Sequence, residues 1–220
     1  MPISLIITGA TGMVGEGVLN ECIADPRISS ILLISRRPGG INHPKVSEII
    51  HAQLNDIRPL REQVKGYDAC LFCMGVSSIG MNEAEYTRLT YDLTLDFAQV
   101  LAAENPQMTF CYISGSGTDS SEKGRMMWAR VKGKTENDLM RLPFKRAFMF
   151  RPGYLQPTRG LKNTLKFYRY IDWMYPLFKI IMPKQVSTLR ELGKAMIETA
   201  VNGYSKSILE VKDIVSQAAR

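Results

Sequence analysis

Short apolar runs alternate along this chain with stretches whose apolar residues recur every three or four positions. Ile3 to Ile7 is the first run, β-branched and nearly continuous, which predicts a strand buried on both faces. Ile31 to Ile34 is the second, and Val46 to Ala52 a weaker third. Tyr67 to Gly75, Met108 to Ile113, Ala147 to Phe150 and Ser207 to Val211 predict four more. Between the strands, Glu16 to Ala24 reads as a helix stopped by Asp25-Pro26, and Pro59 to Val64 as a short one. Glu83 to Ala103 is the longest helix, with Tyr86, Leu89, Leu93, Phe97, Val100 and Leu101 on one apolar face. A further helix carries Trp128 to Glu136, and Leu161 to Met182 predicts one or two helices broken near Pro176. Thr188 and Glu191 have the spacing of a capping box, which opens a helix to Val201 ended by Asn202-Gly203. Asp213 to Ala219 closes the chain as a helix. The alternation predicts an α/β fold, a doubly wound parallel sheet with helices on both faces. It is expected to be one domain over residues 1–220, with 151–206 contributing a small substrate-side lobe.

The turn after the first strand changes this picture from architecture to chemistry. Thr8-Gly9-Ala10-Thr11-Gly12-Met13-Val14-Gly15 places three glycines at spacing three between a strand and a helix. Gly9 lets the chain leave the strand sharply. Gly12 removes a Cβ that would hold a phosphate at a distance, and Gly15 lets the helix pack closely on the sheet. Backbone N–H groups from Thr8, Gly9, Thr11, Gly12, Met13, Val14 and Gly15 then surround one point at a helix N-terminus, a seat for a pyrophosphate. A purely structural turn is the alternative reading. The second strand ends at Ser35-Arg36-Arg37. In a dinucleotide-binding unit an acid at that place binds the ribose 2′-hydroxyl of NAD, whereas an arginine takes the 2′-phosphate of NADP. No acid is available there, so Arg36 and Arg37 point to NADP(H), against the alternative of a solvated loop. Asn55 and Asp56 fall where an adenine-contacting polar residue sits. Gly75 and Val76, with Ser77, fall on the expected cofactor edge.

The fifth predicted strand runs into Ser114-Gly115-Ser116-Gly117-Thr118, and the next helix carries Trp128-Ala129-Arg130-Val131-Lys132. Arg151-Pro152-Gly153 follows the sixth strand. With the glycine turn, these residues resemble the short-chain dehydrogenase/reductase superfamily, in its extended or atypical epimerase-like branch. The resemblance implies a Rossmann-type sheet and a serine, a tyrosine and a lysine at the site, the last two spaced Tyr-x-x-x-Lys on one helix face. The lysine binds the nicotinamide ribose and lowers the tyrosine pKa. The phenol exchanges a proton with the substrate as hydride moves, and the serine orients the carbonyl. Lys132 matches the lysine, and either Ser114 or Ser116 the serine. Trp128 stands where the tyrosine belongs, and an indole N–H is no acid near neutral pH. Tyr112 and Tyr154 are candidates for a relocated acid. The resemblance also places Pro152, Gly153, Tyr154 and Leu155 beside the nicotinamide. The expected function is an NADP(H)-binding oxidoreductase or epimerase-like enzyme acting on a small carbonyl or hydroxyl substrate without the usual tyrosine. The alternative is a non-catalytic NADP(H)-binding regulator or sensor with a protein or membrane partner. A homodimer is the family's expectation.

Composition narrows the partners. The net charge of +7 is uneven: residues 1–109 hold 8 Lys+Arg against 12 Asp+Glu, and residues 110–220 hold 20 against 9. The excess gathers between Arg141 and Lys184, among aromatics, where a lid over substrate, a helix on anionic lipid and a plain amphipathic helix all fit. No nucleic-acid reading motif accompanies the charge, so nucleic acid is not an expected partner. No uninterrupted apolar run is long enough to cross a bilayer. Cys70 and Cys73 form a C-x-x-C, but inside a strand they face opposite sides, unfit for a shared metal or a disulfide. No metal site is expected. Buried free thiols and the absence of a leader-like N-terminus lead to the expectation of a cytoplasmic protein.

Overall fold

In the computed structural model the described residues are 1–158, 160–163, 181–182 and 185–220. Seven strands form one all-parallel sheet in the order β3-β2-β1-β4-β5-β6-β9. They are β1 (Ile3–Thr8), β2 (Ile28–Ser35), β3 (Val46–Ile50), β4 (Ala69–Phe72), β5 (Thr109–Ile113), β6 (Arg146–Arg151) and β9 (Ile208–Glu210). Two three-residue strands, β7 (Tyr154–Gln156) and β8 (Val186–Thr188), pair in parallel beside it. The strand order reverses between β1 and β4, so a crevice opens at their C-terminal ends. The doubly wound Rossmann-type sheet is therefore as the sequence pattern predicts.

Strand periodicity of two builds a core on each face. Leu5 and Ile7 of β1 join α1 (Met13–Ala24) and α5 (Leu189–Asn202) in one cluster. Ile6 joins Phe72, Phe97 and Phe110 in the other. Phe72 meets Phe97 edge-on at 5.4 Å, a geometry that contributes about 0.5–1.5 kcal/mol beyond burial. The same alternation separates the two cysteines of the C-x-x-C: Cys70 belongs to the second cluster and Cys73 packs on the first. Burial pushes the pKa of all four thiols up, that of Cys73 to about 12.

Several boundaries differ from the sequence reading. Helix α1 begins at Met13, three residues early, because Gly12 itself is the N-cap. The expected helix at 59–64 is one 3₁₀ turn, Arg58–Leu60, with Asp56 accepting from the Arg58 N–H. The expected strand at 67–75 pairs only over Ala69–Phe72. The long helix is α2 (Glu83–Thr87), a π turn (Arg88–Asp92) and α3 (Leu93–Glu104) in succession. Helix α4 covers Met127–Leu139. The Thr188 capping box forms as expected, Thr188 Oγ1 accepting from Glu191 N at 3.0 Å. The last helix, α6 (Val211–Ala218), follows β9 directly through a second capping box, Glu210 with Asp213. Most of the helical stretch expected at 161–182 lies outside the described residues.

Candidate cofactor and substrate site

The glycine turn carries out its three separate tasks. Gly9 has φ +72°, and a Cβ there would lie 2.7 Å from the Cys73 carbonyl, so the turn presses on the end of β4. A Cβ on Gly15 would lie 2.1 Å from Gly9 O. Gly12 has no such constraint: its Cβ would meet only Gly9 O, at 3.5 Å. Its outer side is open, and Thr11 and Gly12 are exposed. No side chain caps α1. A helix N-terminus with free N–H groups and a bare glycine in front of it is a cradle of the kind a pyrophosphate fills. Thr8 is fully buried, so it contributes backbone alone, and Met13 lies in the core behind the turn.

Arg36 and Arg37 are both exposed just past β2, and among the described residues neither forms an ion pair. Beside them Glu48 accepts from the Gly39 N–H at 3.0 Å and shapes the loop. Asn55 and Asp56 line an open polar groove of about 540 Å³ between the β3–β4 connection and α3. The Asp56 carboxylate is already bound to Arg58 at 2.7 Å, which lowers its pKa to about 2. Gly75 and Val76 are exposed beyond β4, and nothing lies within 4 Å of a Cβ on Gly75.

The two serines after β5 separate. Ser114 is buried; its hydroxyl donates to Glu136 Oε1 at 2.5 Å and approaches Phe150 O at 3.1 Å. Ser116 is exposed, and its N–H donates to Pro152 O at 2.8 Å. Lys132 Nζ donates to the Ser114 carbonyl. Burial lowers the Lys132 pKa to about 8, with the Glu136 carboxylate opposing. Trp128 is half-buried one turn earlier, the edge of its indole 3.6 Å from where a Gly117 Cβ would be.

Glu136 is the residue the sequence reading passed over. It is wholly buried and takes both forks of the Arg151 guanidinium, Nε at 3.0 Å and Nη2. Arg151 also reaches Ser120 Oγ at 2.6 Å and Glu210 at 3.2 Å. Burial works against its charge, but these carboxylates outweigh it and raise its pKa. The signal was present: Glu136 lies four residues after Lys132, on the same helical face. Each residue of Arg-Pro-Gly makes an architectural contact. Arg151 neutralises Glu136, the Pro152 carbonyl holds the serine loop, and Gly153 admits Gln185 O, which would lie 2.0 Å from a Cβ. Leu155 is core, and Tyr154 is half-buried with its N–H on Gln185 O.

Tyr112, a candidate acid by sequence, is corrected by its place. It is 1% exposed among the aromatics of the second cluster, and burial pushes its pKa far up. A phenol there exchanges no proton with a ligand at the sheet edge.

Comparison with known proteins agrees with this fold. A family model described as the NAD dependent epimerase/dehydratase family matches residues 5–123. Among curated relatives, the protein FMP52, mitochondrial, of Meyerozyma guilliermondii is 29% identical over 159 residues, covering 70% of this chain and 66% of the relative. The protein of that name in Candida albicans is 26% identical over 226 aligned positions, covering 96% and 93%. HTATIP2 of Rattus norvegicus is 28% identical over 155 residues, covering 69% and 62%. This chain thus spans about two thirds of some relatives and nearly all of another. The UDP-N-acetylglucosamine 4-epimerase of Methanobrevibacter ruminantium M1, in complex with UDP-N-acetylmuramic acid, superposes with a TM-score of 0.68 at 14% identity, covering 98% of this chain and 80% of that one. MoeE5 in complex with UDP-glucose and NAD gives 0.65 at 15%, covering 98% and 81%. At such identities the structures attest the fold. One expectation is overturned: the fungal relatives are mitochondrial proteins by name, which contradicts the cytoplasmic setting read from cysteines and N-terminus. Among the described residues no helix is long and apolar enough to cross a membrane.

Proposed function

This chain belongs to the NAD dependent epimerase/dehydratase family, and from that premise we propose that it is an NADP(H)-binding oxidoreductase working without the family's tyrosine. The observation that carries the NADP(H) preference is the pair Arg36 and Arg37, exposed and, among the described residues, free of ion pairs where the adenosine ribose of such a cofactor belongs. The N–H groups of the Gly9–Gly15 turn would hold the pyrophosphate, and Lys132 the nicotinamide ribose. The bound cofactor supplies or accepts hydride. Of the two serines, Ser116 is the one read as orienting a substrate carbonyl; its exposure supports this, as does the commitment of Ser114 to Glu136. Residues 151–206 are read as the substrate-side lobe. The names of the fungal relatives support a mitochondrial setting, to be checked by fractionation.

A fluorescence titration with NADPH and NADH tests the reading. NADPH should bind the tighter, and Arg36→Asp with Arg37→Ser should reverse the order, since each charge-assisted bond to phosphate contributes about 1.5–3 kcal/mol. Equal affinities in wild type and double variant would remove the NADP(H) assignment. The second reading, a non-catalytic NADP(H) sensor, is favoured by Trp128 alone. Oxidation of NADPH by any carbonyl substrate excludes it.

A further inference from the structure

Two loops leave the sheet at the expected nicotinamide end of the site; the one after β4 is uncharged, whereas the one after β5 carries Asp119, Glu122, Lys123 and Arg125 ahead of Met126. Gly75 to Asn82, the stretch following β4, contains no ionisable side chain. Ile79 in it is 89% exposed and Val76 37%. After β5, Met126 is 58% exposed and Trp128 half-buried. Strands β4 and β5 are paired neighbours, so both loops leave the same edge of the sheet. Arg130 staples them: its Nη2 lies 2.7 Å from Glu83 Oε2 at the head of α2, and its Nη1 donates to Gly124 O at 2.7 Å. Large apolar side chains this exposed, at the same edge of the sheet as the glycine turn after β1, mark a ligand surface.

Chemistry selects the ligand. Reduction of an ordinary ketone makes an alkoxide, a base about as strong as hydroxide, which calls for the acid that Trp128 has displaced. Reduction of a quinone makes a phenolate, whose conjugate acid has a pKa of about 10, and water suffices to protonate it. A quinone is also flat and apolar, the shape an indole stacks upon.

From these features we infer that the substrate is a flat, conjugated dicarbonyl compound of the quinone class, seated between Ile79 and Met126 against Trp128. The inference rests on the oxidoreductase reading above. In the step, the quinone takes two electrons and one hydrogen as hydride from the reduced dihydronicotinamide. The one proton it needs comes from water, which is left as hydroxide, giving the hydroquinone and the oxidised cofactor. Trp128 stacks on the ring, and Ser116 donates to one carbonyl oxygen.

Calorimetry with menadione and with UDP-glucose, each without cofactor and then with NADPH, tests the assignment, followed by NADPH oxidation with each compound. Menadione should bind without cofactor and should be reduced, while UDP-glucose should do neither. Trp128→Ala and Ile79→Ser should each weaken menadione about tenfold while leaving NADPH affinity unchanged. Ile79 is exposed, so its variant stays folded whatever becomes of Trp128→Ala. Binding of UDP-glucose in place of menadione, or menadione affinity indifferent to both variants, overturns the inference. Failure of NADPH to bind overturns the cofactor reading, a separate result, because menadione binding is read without cofactor.

Discussion

Lys132 and Glu136 stand one turn apart on α4, and their environments set opposite demands. Glu136 is buried with the matching charge of Arg151 beside it; breaking such a pair leaves an uncompensated charge and typically costs about 3–5 kcal/mol. Lys132 has the Ser114 carbonyl and only a distant share of Glu136. Its pKa is lowered to about 8 in the folded protein from an ordinary 10.5. The charged form is the one penalised, so the cost of burying it is present below about pH 8 and gone above the unfolded pKa. Between the two the unfolded chain holds a proton that the folded chain has shed, and stability rises with pH. Urea unfolding of wild type against Lys132→Met should show the wild type gaining relative stability from about pH 8 to about pH 10. NADPH affinity should move the other way across pH 8, as the ammonium proposed to meet the ribose is lost.

At the scale of elements, the strand–turn–helix unit separates a glycine needed for folding from one proposed to bind phosphate. Gly15 has backbone at 2.1 Å where its Cβ would be, and Gly12 has ordinary contact at 3.5 Å. Gly15→Ala should therefore destabilise the protein by about 1–3 kcal/mol in urea unfolding, because α1 must leave the turn. Gly12→Ala should leave the unfolding midpoint nearly unchanged while abolishing NADPH binding by fluorescence titration. Loss of stability in Gly12→Ala would show that the cradle is structural. The element types were legible where periodicity was long: β1, β2, α3 and the capped α5 follow from pattern and caps alone. The π turn at Arg88–Asp92 was not, since its Thr90 and Leu89 fit α-helical spacing equally well. Nor was the pair β7 and β8, whose three-residue strands meet across twenty-nine intervening residues.

At the scale of the whole molecule, a ligand that binds only the folded state stabilises it by mass action. NADPH at about a hundred times its Kd should add about 2.7 kcal/mol and raise the thermal midpoint by roughly 5–10 °C. An equal concentration of NADH should raise it less. A melting curve insensitive to both would argue that the crevice between β1 and β4 holds no dinucleotide.

The chain's own pattern determined the parallel sheet, the glycine turn and the absence of the tyrosine, because each is local: a run of apolar residues, a glycine spacing, one position on a helix. Tertiary structure decided which serine is accessible, why Arg151 is present, and that Tyr112 is core. Those depend on what lies opposite each side chain across the sheet, and the partner of Ser114 and Arg151 is a glutamate on a helix that packs against neither in sequence. The apolar rim of Val76, Ile79 and Met126 likewise exists only once β4 and β5 are neighbours and their loops share an edge.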